Sequence, residues 1–218
     1  MNEKQRSRRP RQLVIRVGRI VYPVIHQSPL GGLLHVAPLE RFKYRYINTP
    51  ASQVVAVLDE LAAEGVQGWL AGGWGVDALV GRQTRTHNDI DFVIGDDEPP
   101  FDQIGQALAR QGFWFVGTFH HPGIPIPWCH TWRHRAGAKV EVLPVPLHQP
   151  PFTADGTDAD GIRQPFAEGS IDGRPVPCLS AELQLLLHKG YAQRQADDHD
   201  VALLHAYLDN LREGMTTA

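Results

Sequence analysis

Trp69-Leu70-Ala71-Gly72-Gly73-Trp74-Gly75-Val76-Asp77-Ala78-Leu79-Val80-Gly81, followed shortly by His87-Asn88-Asp89-Ile90-Asp91-Phe92-Val93-Ile94, is the stretch on which the fold turns. The short apolar run Trp69-Leu70-Ala71 reads as a buried strand that ends at Gly72-Gly73. Trp74 to Val80 reads as a short helix stopped by Gly81. His87 to Ile94 then reads as a second strand, because Ile90, Phe92 and Ile94 fall on one face and Asp89 and Asp91 on the other. Residues two apart on a strand point the same way, so the two carboxylates face one spot, with Cα atoms less than about 7 Å apart. Two full charges about 5 Å apart at an effective dielectric near 20 repel by roughly 3 kcal/mol. A divalent cation between them reverses the sign of that interaction, and hard oxygen donors of this kind suit magnesium, which also bridges to substrate phosphates. A strand–Gly-Gly–helix unit supplies the complementary half: open backbone N–H groups and a helix N-terminus for a polyphosphate. Asp-x-Asp alone is common on solvated loops, and Gly-Gly alone is often only a tight turn. It is the combination that points to nucleotide chemistry.

Working outward, Val54, Leu58, Leu61 and Ala62 repeat at helical spacing up to Gly65, with Thr49 in the capping position and Pro50 at the first helical position. Residues 102–111 read as a helix closed by Gly112, and 113–119 and 138–147 read as strands. Glu141, between Val140 and Val142, faces away from both and offers a third carboxylate, as a metal ligand or general base. The stretch 148–176 is rich in Pro, Gly and Asp and reads as surface loop. Two helices close the chain, Ser180 to Tyr191 with Ser180 as cap, and about Asp197 to Leu211. This order predicts an α/β core over 49–150 and a loop with a helical C-terminal lobe over 151–218. Residues 1–48 read as a loosely ordered basic extension.

Composition narrows the function classes. The formal net charge is -3, which favours neither a nucleic-acid wrapper nor an acidic tail. The average hides a split: residues 1–48 carry ten Lys/Arg against Glu3 and Glu40, and the remainder carries 11 basic and 22 acidic groups. An acidic body suits a protein whose working ion is a divalent cation. Two cysteines, Cys129 and Cys178, stand outside any paired spacing, which suggests a reducing compartment and a cytoplasmic protein. The Ser7-Arg8-Arg9 stretch resembles an export signal, but Arg16 and Arg19 break the apolar run behind it. No stretch has the apolar length of a membrane span.

The run from Trp69 through Gly81-Arg82-Gln83-Thr84-Arg85 to Asp91 resembles the lincosamide nucleotidyltransferases and, further off, the aminoglycoside 2''-nucleotidyltransferases. Gly173-Arg174-Pro175-Val176-Pro177-Cys178-Leu179-Ser180, then Gln184 to His188, Gly190-Tyr191, Asp197 and Asp200, match the later part of the same group, in the same order. The resemblance implies a polymerase-beta-type fold with a mixed sheet. It also implies Mg2+-dependent transfer of a nucleoside monophosphate, AMP from ATP, to a hydroxyl of a small molecule such as an antibiotic. On the matching positions, Asp89 and Asp91 become metal ligands and Gly72 and Gly73 phosphate-binding turns. Arg85 becomes a phosphate clamp, with Lys189 a further cationic candidate. The family's third carboxylate is usually Asp, whereas Glu141 stands here with a side chain one methylene longer. A displacement of about 1 Å in a catalytic group can cost on the order of a hundredfold. A compensating strand position, slower turnover and a different acceptor are all open at this point.

Among the remaining residues, His130 and His134 sit in strand- or loop-like sequence and read as lining rather than zinc-binding. Trp114, Phe119, Trp128 and Trp132 read equally well as core or as aromatics that stack on an acceptor. Asp197 and Asp200 read as a structural tie to the core. Two other readings stand beside the small-molecule enzyme: a toxin-like nucleotidyltransferase acting on RNA or protein through residues 1–48, and a non-catalytic nucleotide-binding module. The Asp89/Asp91 pair weighs against the last, because a binding-only module gains nothing from two repelling carboxylates.

Overall fold

A computed structural model describes residues 48–95, 100–120, 126, 128–149, 151–152, 162, 164–189 and 194–216. The basic extension and the reading of it as an arm lie outside the described residues. Among the described residues, five helices and seven strands follow in the order α1 (Ala51–Ala63), β1 (Gly68–Ala71), α2 (Gly72–Val80), β2 (Asp89–Gly95), α3 (Phe101–Arg110), β3 (Phe113–His120), β4 (Trp128–His134), β5 (Lys139–Val145), β6 (Phe166–Ile171), β7 (Arg174–Leu179), α4 (Ala181–Leu187) and α5 (Gln195–Thr216).

The strands form one mixed sheet in the order β3-β4-β5-β2-β1-β7-β6. The pairs β2/β5 and β1/β7 run parallel, while β1/β2, β3/β4, β4/β5 and β6/β7 run antiparallel. The expected mixed α/β fold is therefore present. β2 shows why its sequence alternates. Ile90, Phe92 and Ile94 enter a core with Val140 and Val142 of β5 and with Val54, Val57, Ile104 and Leu108 from α1 and α3. Val93 and Leu143 face a second, smaller core on the opposite side with Ala71, Leu179 and Leu183. Asp89 and Asp91 share the face of Val93, so the acidic pair opens on the side away from α1 and α3.

Three boundaries differ from the sequence expectation. The stretch 148–176 is not all loop, since β6 and β7 lie largely within it and join the same sheet as β1, across the boundary set at residue 150. Their hairpin turns at Asp172-Gly173, both in the left-handed region (φ 50° and 77°), a conformation that favours this dipeptide in a two-residue hairpin. Pro175 and Pro177 disguise β7 as loop. The strand tolerates them because its pairing with the short β1 is confined to Leu70 and Cys178. At α1 the cap is Pro50 rather than Thr49, whose N–H instead donates to the His87 carbonyl (2.7 Å). α4 ends at Leu187 rather than Tyr191, with the Ser180 hydroxyl accepting from the Leu183 N–H as expected.

Candidate active site

Register brings the acidic residues together. In the parallel β2/β5 pair, Asp89 lies beside Lys139 and Asp91 beside Glu141. All four side chains stand on one face, because direct neighbours in register share a side. Asp91 also pairs with Ala71, the last residue of β1, which places it at the mouth of the glycine turn. Gly72 has a left-handed φ of 55°, and a Cβ there would run into the Asp91 carboxylate. At Gly73 a Cβ would run into the Arg85 guanidinium and the His87 ring. Three side chains thus press on the turn, Asp91 at Gly72 and Arg85 and His87 at Gly73, and only glycine leaves them room.

Lys139 is the cation set among three carboxylates, with Nζ 2.8 Å from Glu141 and 3.4 Å from Asp89. Burial works against its charge, but Glu141, Asp89 and Asp91 outweigh this and hold the ammonium well above the ordinary lysine range. The Asp91 carboxyl is held well above the carboxylate range, first by burial and then by the charges of Asp89 and Glu141, with Lys139 and Arg194 opposing. The Thr131 hydroxyl, on β4 opposite Glu141, donates to Oε1 at 3.5 Å. Cys129, on the same face, has its thiol pushed up to about 12 by burial and by the Glu141 charge, so it is no nucleophile at neutral pH.

A second network braces the turn from below. Asp77 of α2 lies 2.5 Å from His87 Nε2, and its other oxygen accepts from the Thr84 hydroxyl (2.5 Å) and N–H (3.1 Å). The His87 ring also packs on Trp74 at 4.6 Å. Arg85 is gripped by Asp200 of α5 through Nε (2.9 Å) and Nη2 (2.5 Å). Asp197 accepts three hydrogen bonds from Arg194. The reading as a tie to the core describes Asp200, which reaches Arg85 across 115 residues; Asp197 instead holds Arg194, three residues away at the start of α5.

The sequence candidates therefore divide. Asp89, Asp91, Glu141, Gly72 and Gly73 meet at one place. Arg85 reaches the turn at Gly73 while bound to Asp200. Lys189 does not join them: it is exposed beyond α4 and, among the described residues, forms no ion pair with Asp89, Asp91 or Glu141. Sequence reasoning gave no role to Lys139, Thr131 or the Asp77–Thr84–His87 network. The signal for Lys139 was present in the Lys-x-Glu spacing of β5, which mirrors Asp-x-Asp.

The donor set suits a hard divalent cation. Asp89, Asp91 and Glu141 offer hard oxygens, and the Lys139 ammonium already shows that a cation is held between two of them. Among the described residues no three such side chains are gathered closely enough to enclose an ion by themselves.

Residues 53–204 match the model of the aminoglycoside-2''-adenylyltransferase family. The chain belongs to this family. It is a nucleotidyltransferase, and its relatives modify antibiotics. One is a lincosamide resistance protein of Staphylococcus haemolyticus, 29% identical over 161 residues, covering 71% of this chain and 93% of the relative. Among solved structures, the lincosamide antibiotic adenylyltransferase LnuA, with lincomycin bound, is 27% identical with a TM-score of 0.56, covering 73% of this chain and 99% of LnuA. ANT(2'')-Ia in complex with adenylyl-2''-tobramycin is 17% identical with a TM-score of 0.52, over 72% of this chain and 88% of the other, and shares the fold. Among the described residues, no helix of this family member is long and apolar enough to cross a membrane.

Proposed function

We propose that this family member uses ATP and Mg2+ to adenylylate a hydroxyl of a small, antibiotic-like molecule in the cytoplasm. The observation that carries the reading is the register of Asp91 with both Ala71 and Glu141, which sets a repelling acidic pair at the mouth of a glycine turn. Asp89 and Asp91 would hold the metal, which when bound neutralises the triphosphate and polarises the α-phosphate. The backbone N–H groups of Gly72 and Gly73, at the start of α2, receive the phosphates. Arg85 and Arg194, both anchored by aspartates, supply fixed positive charge at the rim. Glu141 accepts the proton of the acceptor hydroxyl as its oxygen bonds to the α-phosphorus. The bond to the bridging oxygen breaks and pyrophosphate leaves on the opposite side. Thr131 and Lys139 keep the Glu141 carboxylate oriented. Two buried free cysteines accord with a reducing compartment.

The test is incubation with magnesium, labelled ATP and a panel of lincosamides, aminoglycosides and total RNA. Label on a small molecule, with pyrophosphate released and both lost in Asp89→Asn, is the expected result. Label on RNA that disappears on deletion of residues 1–48 would replace this reading with the toxin-like one.

A further inference from the structure

The reactive sheet face continues past Glu141 onto β4 and β3, and its far end is aromatic. Register pairs Lys139 with Arg133 and Glu141 with Thr131. It then pairs Arg133 with Trp114, Thr131 with Gly117, and Cys129 with Phe119. Directly opposed residues share a side, so Trp114 and Phe119 stand on the carboxylate face. They are 47% and 41% exposed, and neither belongs to the two buried cores. A β-bulge between Phe115 and Gly117 accounts for this parity, since without the extra residue Phe119 would turn to the α3 side.

Position along the sheet assigns a use. The glycine turn lies at β1, the carboxylates at β2 and β5, and the aromatic pair at β3, in one line. In-line transfer needs the nucleophile on the side of the α-phosphorus opposite the leaving pyrophosphate. With the phosphates received at β1, the acceptor arrives from the β4/β3 side. Two strand spacings, about 10 Å, separate Glu141 from the aromatic pair, the reach of a one- or two-ring molecule. Thr131, Arg133 and Cys129 between them are buried, so the acceptor spans this row rather than entering it. Charge narrows the class. Residues 113–134 contain no Asp or Glu, and the cations Arg133 and Lys139 border the path.

We propose that Trp114 and Phe119 form the acceptor platform and select hydroxylated molecules that have an apolar ring face and at most one positive charge. The inference rests on the proposed adenylyl transfer. Its test uses the full chain and calorimetry, with lincomycin as the weakly charged probe and tobramycin as the polycationic one. Each is titrated in the presence of magnesium and a non-hydrolysable ATP analogue. Lincomycin binds the wild type more tightly than tobramycin does. Trp114→Ala and Phe119→Ala each weaken lincomycin binding about tenfold and leave analogue affinity unchanged. Gly117→Val blocks the platform from within, and it folds because a Cβ there meets only the Phe119 ring at 3.7 Å. Tighter tobramycin binding, unchanged lincomycin affinity in all three variants, or no lincomycin binding at all overturns the platform. Loss of analogue affinity in the aromatic variants makes it a nucleobase platform, and a change in oligomeric state makes it an interface between copies; either result also overturns it. Separately, a wild type that fails to bind the analogue with magnesium refutes the proposed function itself.

Discussion

Two groups of charged side chains flank the glycine turn, and they are wired in opposite ways. Below the turn, every acid has its own partner: Asp77 has His87 and Thr84, Asp200 has Arg85, and Asp197 has Arg194. Above it, Asp89, Asp91 and Glu141 crowd around Lys139, and burial and the other two acids push Asp91 well above the carboxylate range. Paired charges brace a structure. A surplus of like charge is tolerated only where something else arrives to cancel it, and it costs stability until then. The contrast separates scaffold from site without reference to any relative.

Substitutions should expose the contrast sharply. The largest effect is expected for Asp91→Asn, with adenylyl transfer falling by about a thousandfold or more while the metal-free protein melts a few degrees higher. Loss of activity together with a lower melting temperature would place Asp91 in the scaffold. Asp200→Ala should do the reverse. It takes the bidentate carboxylate away from a largely buried guanidinium and costs about 2–3 kcal/mol in denaturant unfolding, the side chains being 20% and 2% exposed. A stability loss under about 0.5 kcal/mol would show that the tie is dispensable.

A smaller effect is a pH dependence. Because the folded protein holds the Asp91 proton at a higher pH than the unfolded chain does, this group favours folding at low pH. That contribution disappears as pH rises through the raised folded value. Melting temperatures of the metal-free protein should therefore fall with rising pH between the ordinary carboxylate range and that value, and Asp91→Asn should flatten the slope. Smallest of all, Lys139→Gln should tighten Mg2+ binding about threefold, since one positive charge no longer competes. Unchanged affinity in a metal titration would mean that the ammonium lies outside the ion's reach.

Local patterns were legible from the residues alone. The two-residue period of β2 announced both its buried face and its acidic one, and Gly81 marked the end of α2, which begins at Gly72 rather than at the expected Trp74. The β6–β7 hairpin was signalled by Asp172-Gly173 but obscured by Pro175 and Pro177, whose missing N–H groups are harmless only because β1 is so short. The Lys-x-Glu spacing marks Lys139 as sharing a face with Glu141, but its place beside Asp89 depends on β2 and β5 lying side by side, and register between strands far apart in sequence leaves no local mark. The same is true of Trp114 and Phe119, whose facing depends on a bulge. Arg85 was chosen for its chemistry, yet its geometry is set by Asp200, which pattern alone places on a distant helix.

That last link has a consequence for how the protein is made. Arg85 and Asp200 are separated by 115 residues. A ribosome releases the glycine turn, the acidic strand and Glu141 long before the aspartate that steadies the turn exists. Release of α5 therefore sets the moment at which a nascent chain finishes its glycine turn. Chains truncated before Asp200 should carry the full set of carboxylates and yet lack the brace behind Gly73.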